Sequence, residues 1–286
     1  MNLALLPFAL ALVVQAVEPA PPDGTLLEVQ PCASSPAGVT CERLTYSSDG
    51  LRVVALLERP AKGCGTARSV VIHVRGSYVV PELSPESRAL TAGFVRSGFA
   101  VLSPLLRGSG GSEGRDEMGG ADLADVMALP ALLRGLAAGR GLDPERPFLY
   151  GESRGGMMVF QALRDGFPAR AAATVGAFTD FDALLEETPW LVPVSHEIWP
   201  DFDARRAEIG LRRSARRWAD KLTTPLLLMH GSADRSVPVS HALALASRLA
   251  SGPPTWALRI FPGGNHHLST HAEERDRTAV AFFAEH

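Results

Sequence analysis

Two short runs, "VVIHV" at Val70–Val74 and "PLLLMH" at Pro225–His230, are apolar at almost every position. A strand with one wet face alternates apolar and polar residues, so runs this continuous belong to strands buried on both sides. Such strands need helices over both faces of one sheet, and the rest of the chain supplies them. Helical patterns at Glu86–Ser97, Ala121–Ala138, Ser240–Ala250 and Ala272–Phe283 are interleaved with strands at Ser69–Val74, Phe99–Ser103, Pro147–Tyr150, Ala171–Val175 and Trp256–Phe261. This alternation predicts a mostly parallel central sheet with helices on both faces. Leu26–Gln30, Val39–Tyr46 and Leu51–Leu57 read as further strands ahead of it.

The 286 residues suit a single large domain over residues 17–286, and a net charge of −3 argues against nucleic acid as a partner. Residues 1–16 read as a signal peptide. Leu3–Val17 is apolar but shorter than the ~20 residues of a stable membrane span. Val14-Gln15-Ala16 resembles a cleavage site, although no Lys or Arg precedes the run. The expectation is a secreted or periplasmic protein. In an oxidising compartment Cys32 and Cys41 are the local pair; Cys32, Cys41 and Cys64 are otherwise three ordinary thiols.

Chemistry enters at "FLYGESRGGMMVF", Phe148–Phe160. An apolar run meets Gly151, offers Ser153, turns again at Gly155 and Gly156, and passes into a helical pattern. Gly-x-Ser-x-Gly between strand and helix lets the backbone bend sharply and lifts the hydroxyl above the sheet. A serine hydroxyl needs a base, and that base needs an orienting carboxylate. Asp234 follows the strand in "PLLLMHGSADRSVP", and His266 follows the strand in "ALRIFPGGNHHLSTH", giving the order Ser, Asp, His. Asp180 is the alternative acid and His267 the alternative base. The cluster His266, His267 and His271 lacks the acidic or cysteine partners of a metal motif, so no metal and no cofactor are expected. His73 and His230 sit inside apolar strands and read as structural.

Residues 178–221 interrupt the rhythm with Trp190, Trp199, Trp218, several prolines and the run "ARRAEIGLRRSARRW". In an open parallel sheet the site lies at the carboxyl ends of the strands, so this insertion is expected to form a helical cap over it. Trp190, Trp199, Trp218 and the prolines are expected as apolar walls. With Asp201, Asp203 and Glu208 close by, the arginines read as a solvated helix face.

The segments "LLRGSGGSEGRDEMGGADLADVMALPALL", "YGESRGGMM", "WADKLTTPLLLMHGSADRSVP" and "FPGGNHHLS" resemble, in order, the catalytic domain of prolyl oligopeptidase-type serine peptidases. The resemblance runs from about Leu51 to the C-terminus and implies the α/β-hydrolase fold. It implies Ser153 as nucleophile, Asp234 as orienting acid and His266 as general base. The loop after Val74 departs from the family's pattern, reading "RGSYVV", with Tyr78 displaced from the position of a donor tyrosine. The expected oxyanion hole is the backbone N–H groups of Arg154, Gly76 and Ser77. Glu152 is unusual before such a serine and is expected to point away from substrate, as an ion-pair partner.

The expected function is hydrolysis of peptide bonds through an acyl-enzyme, with a small peptide as partner. A carboxylesterase acting on small esters shares the same triad. A catalytically silent binding protein of this fold would show erosion of the triad, and none is seen. A lipase-like enzyme held at a membrane surface by its arginines would show salt-dependent vesicle binding.

Overall fold

The continuously apolar runs become the middle of a sheet. A computed structural model describes residues 20–32, 36–62, 67–78, 80–252 and 255–286. The expected signal peptide and Cys64 lie outside the described residues. The strands are β1 (Leu26–Pro31), β2 (Val39–Ser48), β3 (Leu51–Pro60), β4 (Val70–Val74), β5 (Ala100–Pro104), β6 (Phe148–Glu152), β7 (Ala172–Val175), β8 (Leu226–Gly231) and β9 (Trp256–Phe261). They lie in the order β1-β2-β3-β5-β4-β6-β7-β8-β9. Pairing is antiparallel from β1 to β5 and parallel from β5 to β9. This order is that of the α/β-hydrolase fold expected above.

Side-chain alternation divides each parallel strand between two cores. Val71, Phe148, Tyr150, Leu227 and Met229 point to one, which α1 (Pro85–Arg96) helps to close. Val70, Ile72, Leu149, Leu226 and Leu228 point to the other. That second face begins with α2 (Leu123–Met127) and α3 (Leu129–Arg140), where one helix over Ala121–Ala138 was expected. The break falls at Ala128, because Pro130 has no N–H to donate and its ring crowds the preceding turn. Helix α4 (Arg154–Arg164) packs there too, through Met157, Phe160 and Leu163. Ser84 caps α1 by accepting from the Ser87 N–H at 3.1 Å.

Between β7 and β8 lie α5 (Phe181–Glu187), α6 (Leu191–Ile198), α7 (Phe202–Arg213) and two short 3₁₀ turns that end at Lys221. The arginines here are matched largely by acids. Arg205 meets Asp201 and Glu208, Arg206 meets Asp182, and Arg216 meets Asp180. Arg213 is an exception, buried with its guanidinium 2.7 Å from the Met118 carbonyl and 4.5 Å over the Trp199 ring. Helices α8 (Ser240–Leu249) and α9 (Ala272–Glu285) complete the two layers. At the sheet edge a disulfide joins Cys32 to Cys41, with Cα atoms 5.5 Å apart. Among the described residues no helix is long and apolar enough to cross a membrane.

Helix α9 is docked by rings. Phe283 stacks on Phe148 with centroids 4.5 Å apart and on Phe94 at 5.6 Å, and it is buried. Phe283→Ala removes this contact and leaves a cavity, so unfolding in urea should show a loss of about 3–5 kcal/mol.

Candidate active site

Ser153 stands between β6 and α4 with φ 52° and ψ −122°. A non-glycine residue held there stores strain of order 1–3 kcal/mol, which the surroundings must enforce. The enforcement is steric. A Cβ on Gly151 would lie 2.5 Å from the Gly155 carbonyl oxygen, and one on Gly155 would run into the Val74 carbonyl oxygen. Glycine at these positions lets α4 start against the ends of β6 and β4. The Ser153 N–H is tied to the Val175 carbonyl at 2.8 Å. The elbow expected from sequence is present.

Asp234 and His266 come together at the neighbouring strand ends. His266 Nδ1 donates to Asp234 Oδ2 at 2.7 Å, which leaves Nε2 as the free ring nitrogen. Asp234 Oδ1 accepts from the N–H groups of Ser236 and Val237, both at 2.9 Å. Burial opposes ionisation of Asp234, but hydrogen bonds from His230, His266 and the Val237 amide outweigh it and hold its carboxyl well below the usual range. His230, read as structural, sits with its Nε2 3.3 Å from Asp234 Oδ2 and bonds the Val237 carbonyl at 2.8 Å. It braces the acid. Gly176, at φ 57°, passes beneath the ring: a Cβ there would lie 2.9 Å from His266 Nδ1.

Asp180 is committed elsewhere. It caps α5 through the Ala183 N–H at 3.1 Å and pairs with Arg216, so the alternative acid serves the cap. His267 lies at the rim, its Nδ1 3.6 Å from Glu152 Oε2.

Ser153 and His266 line one cleft of about 300 Å³. Phe178, Leu184, Leu191 and Trp190 wall it on the cap side, and Trp190 is 68% exposed. Trp199 and Trp218 do not line this cleft. Trp199 is buried inside the cap, stacked on Phe202 at 6.0 Å, because Arg213, Phe202 and Phe181 of α5 enclose it.

Two corrections concern the oxyanion side. The Gly76 N–H is already bonded to Glu152 Oε1 at 3.1 Å, so it is not a free donor. The N–H groups of Ser77 and Arg154 have no partner among the described residues. Glu152 does not point away. It is buried and lines the cleft, because the same close approach of β4 to the elbow brings it against Gly76. Tyr78 also lines the cleft, but its hydroxyl is turned to the Asp116 carbonyl at 3.3 Å.

Sequence reasoning missed the buried charges beneath this loop. Arg75 donates to the carbonyls of Gly76 at 2.9 Å and Tyr78 at 3.0 Å, while Arg154 Nη1 reaches the Ser77 carbonyl and Asp116 Oδ2, each at 2.8 Å. Asp122 receives the other Arg154 nitrogen and the Gly119 and Gly120 amides. Burial opposes its ionisation, but Arg154 and those amides hold its carboxyl below the usual range. The available signals were an arginine directly after a buried strand and the aspartates Asp116 and Asp122 among the glycines of "GRDEMGGAD". Among the described residues no group of three His, Cys, Asp or Glu side chains is arranged to hold a metal ion.

Because the folded carboxyl of Asp234 is depressed, its contribution to stability is complete above the ordinary aspartate pKa of about 3.9 and is lost as pH falls below it. Stability measured in urea from pH 7 down to pH 3 should therefore fall less steeply for Asp234→Asn than for the wild type.

The model of the prolyl oligopeptidase family matches residues 86–286. The uncharacterized peptidase YtmA of Bacillus subtilis is 27% identical over 72% of this chain and 78% of its own. The acylamino-acid-releasing enzyme of Rattus norvegicus is 28% identical over 69% of this chain, which spans only 29% of that enzyme. A puromycin-hydrolyzing peptidase of Mycobacterium tuberculosis superposes with a TM-score of 0.69 at 22% identity, over 86% of this chain and 39% of that one. With the elbow, the strand order and a match over most of its length, the chain belongs to the prolyl oligopeptidase family.

Proposed function

We propose that this protein is a serine peptidase in which Ser153 is the nucleophile, His266 the general base and Asp234 the orienting acid. One observation carries the assignment: His266, held at 2.7 Å by the buried Asp234, faces the same cleft as the strained Ser153. Ser153 Oγ attacks the scissile carbonyl while His266 Nε2 takes its proton. The oxyanion is met by the N–H groups of Arg154 and Ser77, the first of them at the positive end of α4. Collapse of the intermediate expels the amine, which receives the proton from His266. Water then enters by the same base and releases the acyl group. The pairing of Nδ1 with Asp234 fixes the tautomer this needs and stabilises the imidazolium once formed.

Ser153→Ala should abolish labelling by a fluorophosphonate while circular dichroism shows the fold retained. On a peptide anilide His266→Ala should lower kcat on the order of 10⁴ or more, and His267→Ala should cost far less. If the two histidine variants exchange these behaviours, the base is His267.

We also infer that the cap selects substrates, with Trp190 as its reach into the cleft. Trp190→Ala should shift kcat/KM between a bulky peptide anilide and a small activated ester by about 1–3 kcal/mol. Equal losses on both substrates would assign Trp190 to the fold of the cap alone.

A further inference from the structure

Beside the nucleophile lies a carboxylate that the mechanism above does not use. Glu152 is 3% exposed and contributes to the lining of the cleft. Its Oε1 is fixed by the Gly76 N–H at 3.1 Å and by the Ser87 hydroxyl. Its Oε2 is buried and makes no hydrogen bond among the described residues. The Nδ1 of His267 stands 3.6 Å from it, also without a hydrogen bond.

A buried, half-satisfied carboxylate is costly unless a cation or a donor completes it. The neighbouring charges are spoken for. Arg75 and Arg154 are opposed by Asp116 and Asp122 and bonded to loop carbonyls. His73, whose Nε2 lies 3.9 Å from Oε1, is pushed down to about 4 by burial and is neutral at pH 7. His266 is turned to Asp234. The cleft therefore offers one oxygen acceptor and one imidazole nitrogen that together match a group with several N–H donors and positive charge.

We propose that Glu152, with His267 at the rim, forms a subsite for the protonated primary amine of a substrate's acyl residue, so that this protein favours peptides with a free N-terminus. The subsite rests on Ser153 being the nucleophile. An α-amine is one carbon away from the carbonyl that Ser153 attacks, and Glu152 is the residue next to Ser153 in the chain. Because Oε1 is anchored, the carboxylate stays in place, and a rotation of the partly exposed His267 ring uncovers Oε2 to the amine; the low local dielectric strengthens its attraction for an ammonium group. An acylated amine has no charge and at most one N–H, and it would leave the carboxylate oxygen unmatched.

The test reads binding and turnover separately. Fluorophosphonate labelling of Ser153 is timed in the presence of leucine amide or of N-acetyl-leucine amide. On the wild type near pH 6.5, leucine amide should protect at a concentration about tenfold lower or more. That advantage should vanish near pH 9.5, above the ordinary α-amine pKa of about 7.7–8.0. In Glu152→Gln, which keeps the shape and an acceptor for the Gly76 N–H, the advantage should be lost at both pH values. Turnover of leucine p-nitroanilide should likewise fall about tenfold more than that of its N-acetyl form. Equal protection of the wild type by the two amides overturns the subsite without any variant. Equal losses on both anilides in Glu152→Gln reassign Glu152 to supporting the Gly76–Tyr78 loop. Absence of labelling in the wild type overturns the nucleophile assignment and the subsite with it.

Discussion

The first turn of α4 has to come close enough to the end of β4 that no side chain fits between them, and the cleft is arranged around that contact. Gly155 lies against the Val74 carbonyl and Gly151 against Gly155 itself. Only with those backbones in contact can Ser153 be held at φ 52° at the head of a helix. The same approach brings the loop after β4 beside the nucleophile, which decides the backbone amides available to it. It also brings Gly76 within reach of Glu152 and so removes one expected donor. A single packing constraint thus sets the nucleophile and the composition of the anion site.

Holding a loop of this kind beside a helix start needs groups that can bond many carbonyls at once. Guanidinium does this with its planar fork, and Arg75 and Arg154 are placed for it. Burial of their charges is compensated by Asp116 and Asp122, and Arg75 is pulled down only to about 10 by burial and by Arg154, so it remains charged at neutral pH. Removing one member of such a cluster would leave a buried charge without its partner, which costs more than the intact pair contributes. Asp234 follows the same logic on the other side of the cleft, where three donors outweigh its burial.

The cap shows how one composition divides between fold and surface. Trp199 and Trp218 are buried against arginines: Trp199, 4.5 Å from Arg213, packs inside the insertion, and Trp218, 4.8 Å from Arg164, packs where the insertion meets α4. Trp190 is left exposed at the cleft. Arg205, Arg206, Arg216 and Arg217 meet acids within the same insertion, so the run adds little net field at the site.

The succession of strands and helices, the two helical layers, the elbow and the pairing of Asp234 with His266 were legible in the sequence. Each rests on a local signal: continuous apolar runs, glycines flanking a serine, or an acid and a histidine directly after a strand. Pro130, by contrast, was readable in the chain as a helix break and was passed over. What tertiary structure alone decided were the long-range partners: Glu152 against Gly76, seventy-six residues apart, and Arg213 against Met118, ninety-five apart. Which tryptophan faces the cleft turned on the same thing. The direction of a side chain at the end of a strand depends on which neighbour is packed beside it, and no spacing within a segment records that neighbour.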